Sequence, residues 1–211
     1  MKKIKLKKNY KKEKNTKWLI RHLNDEFFIK SKKEGYRSRA AYKLIQINEK
    51  FRIFRPGLNV LDLGAAPGGW CQVSQRLTFP KSKILGVDKL NINSIEGVKL
   101  LKGDVCEPNT QNEISNFFSK KVDVILSDMA PNTTGNSLTD HIRIINLVEI
   151  ALDLLEKFLA PNGYFVCKIF QGGAQGKLYK DMSLLIKNIK YFKPLASRKE
   201  SSETYLVGLK K

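Results

Sequence analysis

Asn59-Val60-Leu61-Asp62-Leu63-Gly64-Ala65-Ala66-Pro67-Gly68-Gly69-Trp70 begins as an apolar run, meets an acid and breaks into glycines. Val60, Leu61 and Leu63 suit a strand buried on both faces of a parallel sheet. Gly64, Gly68 and Gly69 let the chain turn sharply with no Cβ in the way, and Pro67 stiffens the turn. The stretch predicts a strand, a tight turn and a helix start, with bare backbone open to a ligand at the turn. Two common phosphate loops are excluded. The dinucleotide fingerprint requires glycine where Ala66 stands, and a Walker loop requires Lys and then Ser or Thr where Trp70-Cys71 stands.

Outward from this loop, the apolar runs end on acids. Asp88 closes Ile84-Leu85-Gly86-Val87, a third strand over Gly97 to Lys102 runs into Gly103-Asp104, and Val122 to Ser127 ends on Asp128 before Met129-Ala130-Pro131-Asn132. A glycine turn that only packs a helix on a sheet leaves these acids unexplained. A glycine loop with an acid at the end of the second strand suits a nucleoside with free ribose hydroxyls, and S-adenosylmethionine is such a ligand. The fifth strand, Tyr164 to Phe170, carries Lys168 near its end, where a parallel strand is normally apolar.

Helical spacing predicts helices over Trp18 to Phe28, Ser38 to Phe51 and Trp70 to Leu77. A longer one runs from Thr139 or Asp140 to Leu159, with Ile142, Ile145, Val148, Leu152 and Leu155 on one face and Pro161-Asn162-Gly163 as its stop. The last helix is predicted over Lys177 to Ile189, followed by strands near Tyr191 and over Glu203 to Leu209. Strands alternating with helices call for an α/β, doubly wound, mostly parallel sheet with its ligand at the carboxyl ends of the strands. One domain is expected over 18–211, with helices over 18–57 preceding the core.

The net charge of +19 is unevenly placed: residues 1–57 hold 19 Lys and Arg against five acids. Residues 1–17 carry nine lysines and little that can enter a core, so disorder, or a tail that orders on RNA, is expected there. The asymmetry points to a nucleic acid rather than a membrane, with Arg37, Arg39 and the lysines before them gripping phosphates. No run approaches the ~20 apolar residues of a membrane span. Cys71, Cys106 and Cys167 are read as reduced thiols, and with no signal-peptide pattern a cytoplasmic monomer is expected, an organelle being the alternative in a host that has them. His22 and His141 suggest no metal site.

Several blocks together resemble the FtsJ/RrmJ methyltransferases: Arg37-Ser38-Arg39-Ala40-Ala41-Tyr42-Lys43-Leu44, Asp62 to Trp70, Ser127 to Asn132, Phe165 to Gly172 and Ser202-Glu203-Thr204-Tyr205. The resemblance, which runs from about Trp18 onward, implies a Rossmann-like class I methyltransferase fold, seven-stranded with an antiparallel last strand. It implies S-adenosylmethionine as cofactor, and the ribose 2′-hydroxyl of a uridine in large-subunit ribosomal RNA as target. The family's catalytic tetrad falls on Lys43, Asp128, Lys168 and Glu203, and its cofactor contacts on Gly68, Trp70, Asp88, Asp104 and Asp128. Methyl transfer from a sulfonium is an in-line displacement, so positioning should supply most of the rate. Lys168 serves either as a base in its neutral form or as a charged donor orienting the hydroxyl oxygen; both readings stay open. No cysteine lies within 122–136 to serve a base-carbon methyltransferase, and Met129-Ala130-Pro131-Asn132 lacks the Pro-Pro-aromatic of amine methylation. A tRNA 2′-O-methyltransferase and a non-catalytic ribosome-assembly factor are the alternatives.

Overall fold

The computed structural model describes residues 23–131, 137–170 and 177–211. The basic tail, the helix start expected at Trp18, Asn132 and the loop over 171–176 lie outside the described residues. In chain order the elements are α1 (Glu26–Lys33), α2 (Ala41–Phe51), β1 (Val60–Leu63), α3 (Gly69–Thr78), β2 (Ile84–Asp88), β3 (Lys99–Lys102) and α4 (Pro108–Phe118), then β4 (Val122–Ser127), α5 (Ser137–Phe158), β5 (Leu159–Phe170), α6 (Lys177–Leu185), β6 (Ile186–Phe192) and β7 (Glu203–Lys210). The strands form one seven-stranded sheet in the order β3-β2-β1-β4-β5-β7-β6. β3, β2, β1, β4 and β5 run parallel, and β7 runs antiparallel to both β5 and β6.

The period of two along the strands divides the core into two layers. Leu61, Leu63, Leu85, Val87, Ile125, Phe165 and Cys167 face one way and pack with Ile114 of α4, Val148 and Leu155 of α5 and Met182 of α6. Val60, Ile84, Val124, Leu126, Val166 and Tyr205 face the other way and pack with Leu44 and Ile47 of α2 and Trp70 and Val73 of α3. Burial on both faces is why the parallel strands read as continuous apolar runs, and it makes the sheet doubly wound.

Several local expectations are corrected. Asp25 interrupts the helix expected over Trp18 to Phe28, because its Oδ1 accepts from the Phe28 N–H at 3.0 Å and caps α1. α2 starts at Ala41 rather than Ser38, and α4, whose Pro108 sits in its first turn, occupies a stretch for which no helix was expected. In α5 the buried face is Ile144, Val148, Ala151, Leu152 and Leu155, whereas Ile142 is exposed. Pro161-Asn162-Gly163 lies within β5, at the register shift between Val122 and Val124 of its partner, and Asn162 takes φ +60°. Most instructive is the segment after Leu185, where helix was expected to Ile189. There Ile186 to Phe192 pairs with β7, through a shift at Lys187 to Lys190 where Asn188 takes φ +56°. The offered β7 edge outweighs local helical spacing, the usual way tertiary pairing overrides propensity.

Candidate active site

Strand register fixes what stands at the carboxyl edge of the sheet. Leu63 pairs with Val87 and Ser127, and Ser127 with Cys167. Gly64, Asp88, Asp128 and Lys168 are therefore each the next residue beyond one row, and Tyr205 of β7 is the partner of Lys168. β1 has β2 on one side and β4 on the other, so this edge is the switch point where open α/β sheets bind ligands. The loops after β1 and β4 close on each other there. Gly64 takes φ +72°, and a Cβ on it would lie 2.7 Å from Met129 Cγ.

The four tetrad residues form two ion pairs side by side. Lys168 Nζ donates to Asp128 Oδ1 at 2.9 Å and to the Asp128 carbonyl at 2.8 Å. Lys43, which enters from the first turn of α2, pairs with Glu203 at the start of β7 at 2.8 Å. Their side chains are 8–17% exposed, so each charge relies on its partner rather than on water. Tyr205 joins the pairs. Its hydroxyl donates to Asp128 Oδ1 at 2.8 Å, and Lys43 Nζ lies 5.7 Å from its ring centroid. Burial alone would raise the Asp128 carboxyl, but the Lys168 and Lys43 charges and the hydrogen bonds from Lys168 and Tyr205 outweigh it and hold the carboxyl below its usual range. Burial first, then the Asp128 and Glu203 charges, push the Tyr205 phenol well up, which keeps it a donor. The sequence reading gave Tyr205 no role, although the strand period places it on the same face as Glu203.

The residues expected to meet a cofactor are placed as follows. Asp88 Oδ2 accepts from the Ala66 N–H at 2.9 Å and Oδ1 from the Leu90 N–H at 2.8 Å, leaving each oxygen a further lone pair. Asp104 pairs with the exposed Lys89 at 2.7 Å and accepts from the Cys106 N–H at 3.1 Å; Lys89 holds its carboxyl down. Gly68 takes φ +107° just before α3. Trp70 is buried, with its indole N–H donated to the Ala40 carbonyl at 2.8 Å and its ring 5.6 Å from that of Tyr205. The backbone N–H of Trp70 belongs to the first turn of α3, whose donors lack a partner within the helix.

Beneath the turn lies Asp62, fully buried, with Oδ2 accepting from the Cys71 thiol at 3.1 Å and Oδ1 unpartnered. Burial pushes its carboxyl up to about 7, against the pull of the Cys71 hydrogen bond. An acid whose folded value lies above its unfolded value of about 3.9 costs stability as pH rises, because the unfolded chain ionises first. The cofactor-free protein should therefore lose stability relative to Asp62→Asn between about pH 4 and pH 7, by on the order of 4 kcal/mol at full effect. Chemical denaturation across that range checks it, and parallel pH curves for the two proteins would contradict it.

Arg37 and Arg39, expected to grip phosphates, have several of their guanidinium donors engaged within the fold, and Arg39 Nε is buried without a partner. Arg37 Nη1 donates to the Asn93 carbonyl at 2.6 Å and Pro67 carbonyl at 3.2 Å, and Nη2 to the Ser94 carbonyl at 2.6 Å. Arg39 pairs with Asp25 and donates to the Ala196 carbonyl at 2.5 Å. Phosphate contact by Arg37 is left to the guanidinium donors beyond these three bonds.

A sheet of order 3-2-1-4-5-7-6, a glycine turn at its switch point and a lysine–aspartate pair beside the turn narrow the relatives to compare. The model of the FtsJ-like methyltransferase family matches residues 36–211. The "Ribosomal RNA large subunit methyltransferase E" of Rickettsia akari is 47% identical over 199 residues, covering 92% of this chain and 88% of its own length. The protein of that name from Acidiphilium cryptum is 48% identical over 192 residues, covering 91% and 84%. A crystal structure from Plasmodium falciparum, assigned as a ribosomal RNA methyltransferase, superposes with a TM-score of 0.74 at 30% identity, covering 83% of this chain and 98% of its own. All four tetrad positions, Lys43, Asp128, Lys168 and Glu203, fall within the matched span, and the chain belongs to the FtsJ-like methyltransferase family.

Proposed function

We propose that this methyltransferase transfers a methyl group from S-adenosylmethionine to the ribose 2′-hydroxyl of a uridine in large-subunit ribosomal RNA. The observation that carries the reading is the Lys168–Asp128 pair at the carboxyl edge, completed by Lys43–Glu203. The names of the relatives from Rickettsia akari and Acidiphilium cryptum support the ribosomal target. Among the described residues no cysteine is placed to attack a base carbon. Cys71 and Cys167 are buried, and Cys106 sits after β3.

The residues at the turn fit the cofactor. The N–H groups opening α3 and the spare lone pairs of Asp88 suit a nucleoside carrying ribose hydroxyls and a zwitterionic tail, whereas the space beside Gly64 and Gly68 is taken by Met129, Ile95 and Arg37 rather than left open as expected. Asp88 would take the ribose hydroxyls, Asp104 the adenine amine in competition with Lys89, and Asp128 and the Gly68–Trp70 backbone the remainder. Bound there, S-adenosylmethionine supplies an electrophilic methyl on a sulfonium. Asp88→Ala should weaken its binding by about 1–3 kcal/mol, the cost of an unpaired partner. Calorimetry reporting unchanged affinity would contradict that.

The chain's own contribution is to position an oxygen and manage one proton. Lys168 gives two of its three donors to Asp128, which holds Nζ still and suits the charged ammonium. A third donor aimed at the 2′-oxygen would orient its lone pair; as the new C–O bond forms in place of the C–S bond, the hydroxyl proton becomes acidic and passes to water, or to Lys168 where the lysine is neutral. Lys43–Glu203 and the Tyr205 hydroxyl keep Asp128 and Lys168 in place. The basic N-terminal tail, with nine lysines in residues 1–17, supplies sequence-independent attraction for RNA phosphates. Labelled methyl should enter large-subunit ribosomal RNA and not transfer RNA when both compete for the purified protein. Preferential labelling of transfer RNA would favour the alternative substrate.

A further inference from the structure

The turn between α1 and α2, residues 35–40, lies against the glycine loop, and no phosphate-gripping task explains the way it is tied there. The Arg37 guanidinium joins three carbonyls from two loops: Pro67 in the turn after β1, at 3.2 Å, and Asn93 and Ser94 after β2, at 2.6 Å each. Its backbone N–H donates to Gln72 Oε1 at 2.9 Å, and Gln72 Nε2 donates back to the Gly35 carbonyl at 2.9 Å. Gln72 belongs to α3, so the turn is stitched to the helix that the glycine loop opens. Side chains of the turn and of the loop after β2 crowd the two glycines, and Gly68 is held to glycine by its φ of +107°. A Cβ on Gly68 would lie 2.7 Å from Ile95 Cδ1 and 3.2 Å from Arg37 Nη1, and one on Gly69 would lie 2.7 Å from Ser38 Oγ. At its far end the same turn feeds α2, whose third residue is Lys43.

We propose that Arg37 is a positioning residue for the cofactor site, a strut whose guanidinium fixes the glycine loop against the 93–94 loop and ties both to the turn that carries Lys43. This rests on the reading that the 64–69 loop holds the cofactor. Three carbonyl acceptors suit a planar guanidinium, which offers five fixed donors where a lysine ammonium offers three from one point. Removing the strut frees the Pro67 backbone, so the loop must be ordered by the cofactor itself and ground-state affinity falls. It also loosens Lys43 relative to Glu203, so the rate falls even when cofactor is saturating.

The test separates a strut from a phosphate grip by measuring binding without RNA. In calorimetry on the full chain, S-adenosylmethionine should bind Arg37→Met about tenfold more weakly than wild type, and kcat at saturating cofactor should fall as well. Arg37→Lys should recover only part of the affinity. The salt dependence of RNA binding should keep its wild-type slope, because no phosphate contact has been lost. Gln72→Met, which cuts the second tie and leaves Arg37 in place, should also weaken cofactor binding, and it carries the same test if Arg37→Met fails to fold. Wild-type cofactor affinity in both variants, or a salt slope reduced by about one in Arg37→Met with cofactor affinity intact, would overturn the strut. Failure of wild type itself to bind S-adenosylmethionine would instead overturn the functional reading on which it rests.

Discussion

Lys168→Ala should abolish measurable methyl transfer while S-adenosylmethionine affinity changes by less than about threefold, because the role proposed for the lysine is exerted chiefly in the transition state. The reason lies in its two hydrogen bonds. Nζ is held by the carboxylate and the carbonyl of one residue, Asp128, at 2.9 and 2.8 Å, so its position follows from β4 and β5 being neighbours. Removing a group that acts on the reacting oxygen costs about 10²- to 10⁴-fold in rate. Glu203→Ala should be milder, because Glu203 reaches the site through Lys43. Single-turnover rates on a competent ribosomal substrate measure both. A pH profile flat through the alkaline range supports the charged-donor role, a rate rising with pH supports the neutral base, and near wild-type turnover by Lys168→Ala would contradict either.

Asp128→Ala should be the most damaging substitution for stability among the four. It leaves Lys168 with one acceptor and the Tyr205 hydroxyl with none, at a site where Asp128 is 17% exposed and Lys168 8%. Breaking a buried pair from one side costs about 3–5 kcal/mol, more than removing both partners together. Denaturant unfolding of Asp128→Ala, Lys168→Met and the double variant checks this; the double variant should be more stable than Asp128→Ala. The pH dependence follows from the depressed Asp128 carboxyl. Its contribution is fully present above the unfolded value of about 3.9 and disappears as pH falls through the lower folded value. The gap between wild type and Asp128→Asn should thus close on the acid side of pH 4, and a gap that persists there would contradict the assignment.

The parts of the fold legible in the sequence were those where one residue pattern has one physical solution. An apolar strand ending on an acid and a glycine turn could hardly be placed elsewhere than at the centre of a parallel sheet. Asp88, Asp128 and Lys168 were readable because charge at the end of a buried strand needs an exit or a partner. Ile142 was misplaced because the face of α5 is set by Ile144, Val148 and Leu155 against the sheet, and an apolar residue one turn from the helix start fits either side. Ile186 to Phe192 was read partly as helix because β7, its partner, comes more than ten residues later. The bonds of Tyr205 and Arg37 were not legible in the sequence, for different reasons. A tyrosine in a strand looks like core until its hydroxyl is seen against Asp128, and an arginine in a basic segment looks like a phosphate ligand until three carbonyls are seen around it.

The most direct measurement is the chemical position of the methyl group. Large ribosomal subunits lacking the modification would be incubated with the purified protein and labelled S-adenosylmethionine, and their RNA digested to nucleosides for mass analysis. The expected product is 2′-O-methyluridine, formed by wild type and absent with Lys168→Ala. Label recovered on a base, or 2′-O-methyluridine formed equally well by Lys168→Ala, would contradict the assignment of this site to ribose methylation.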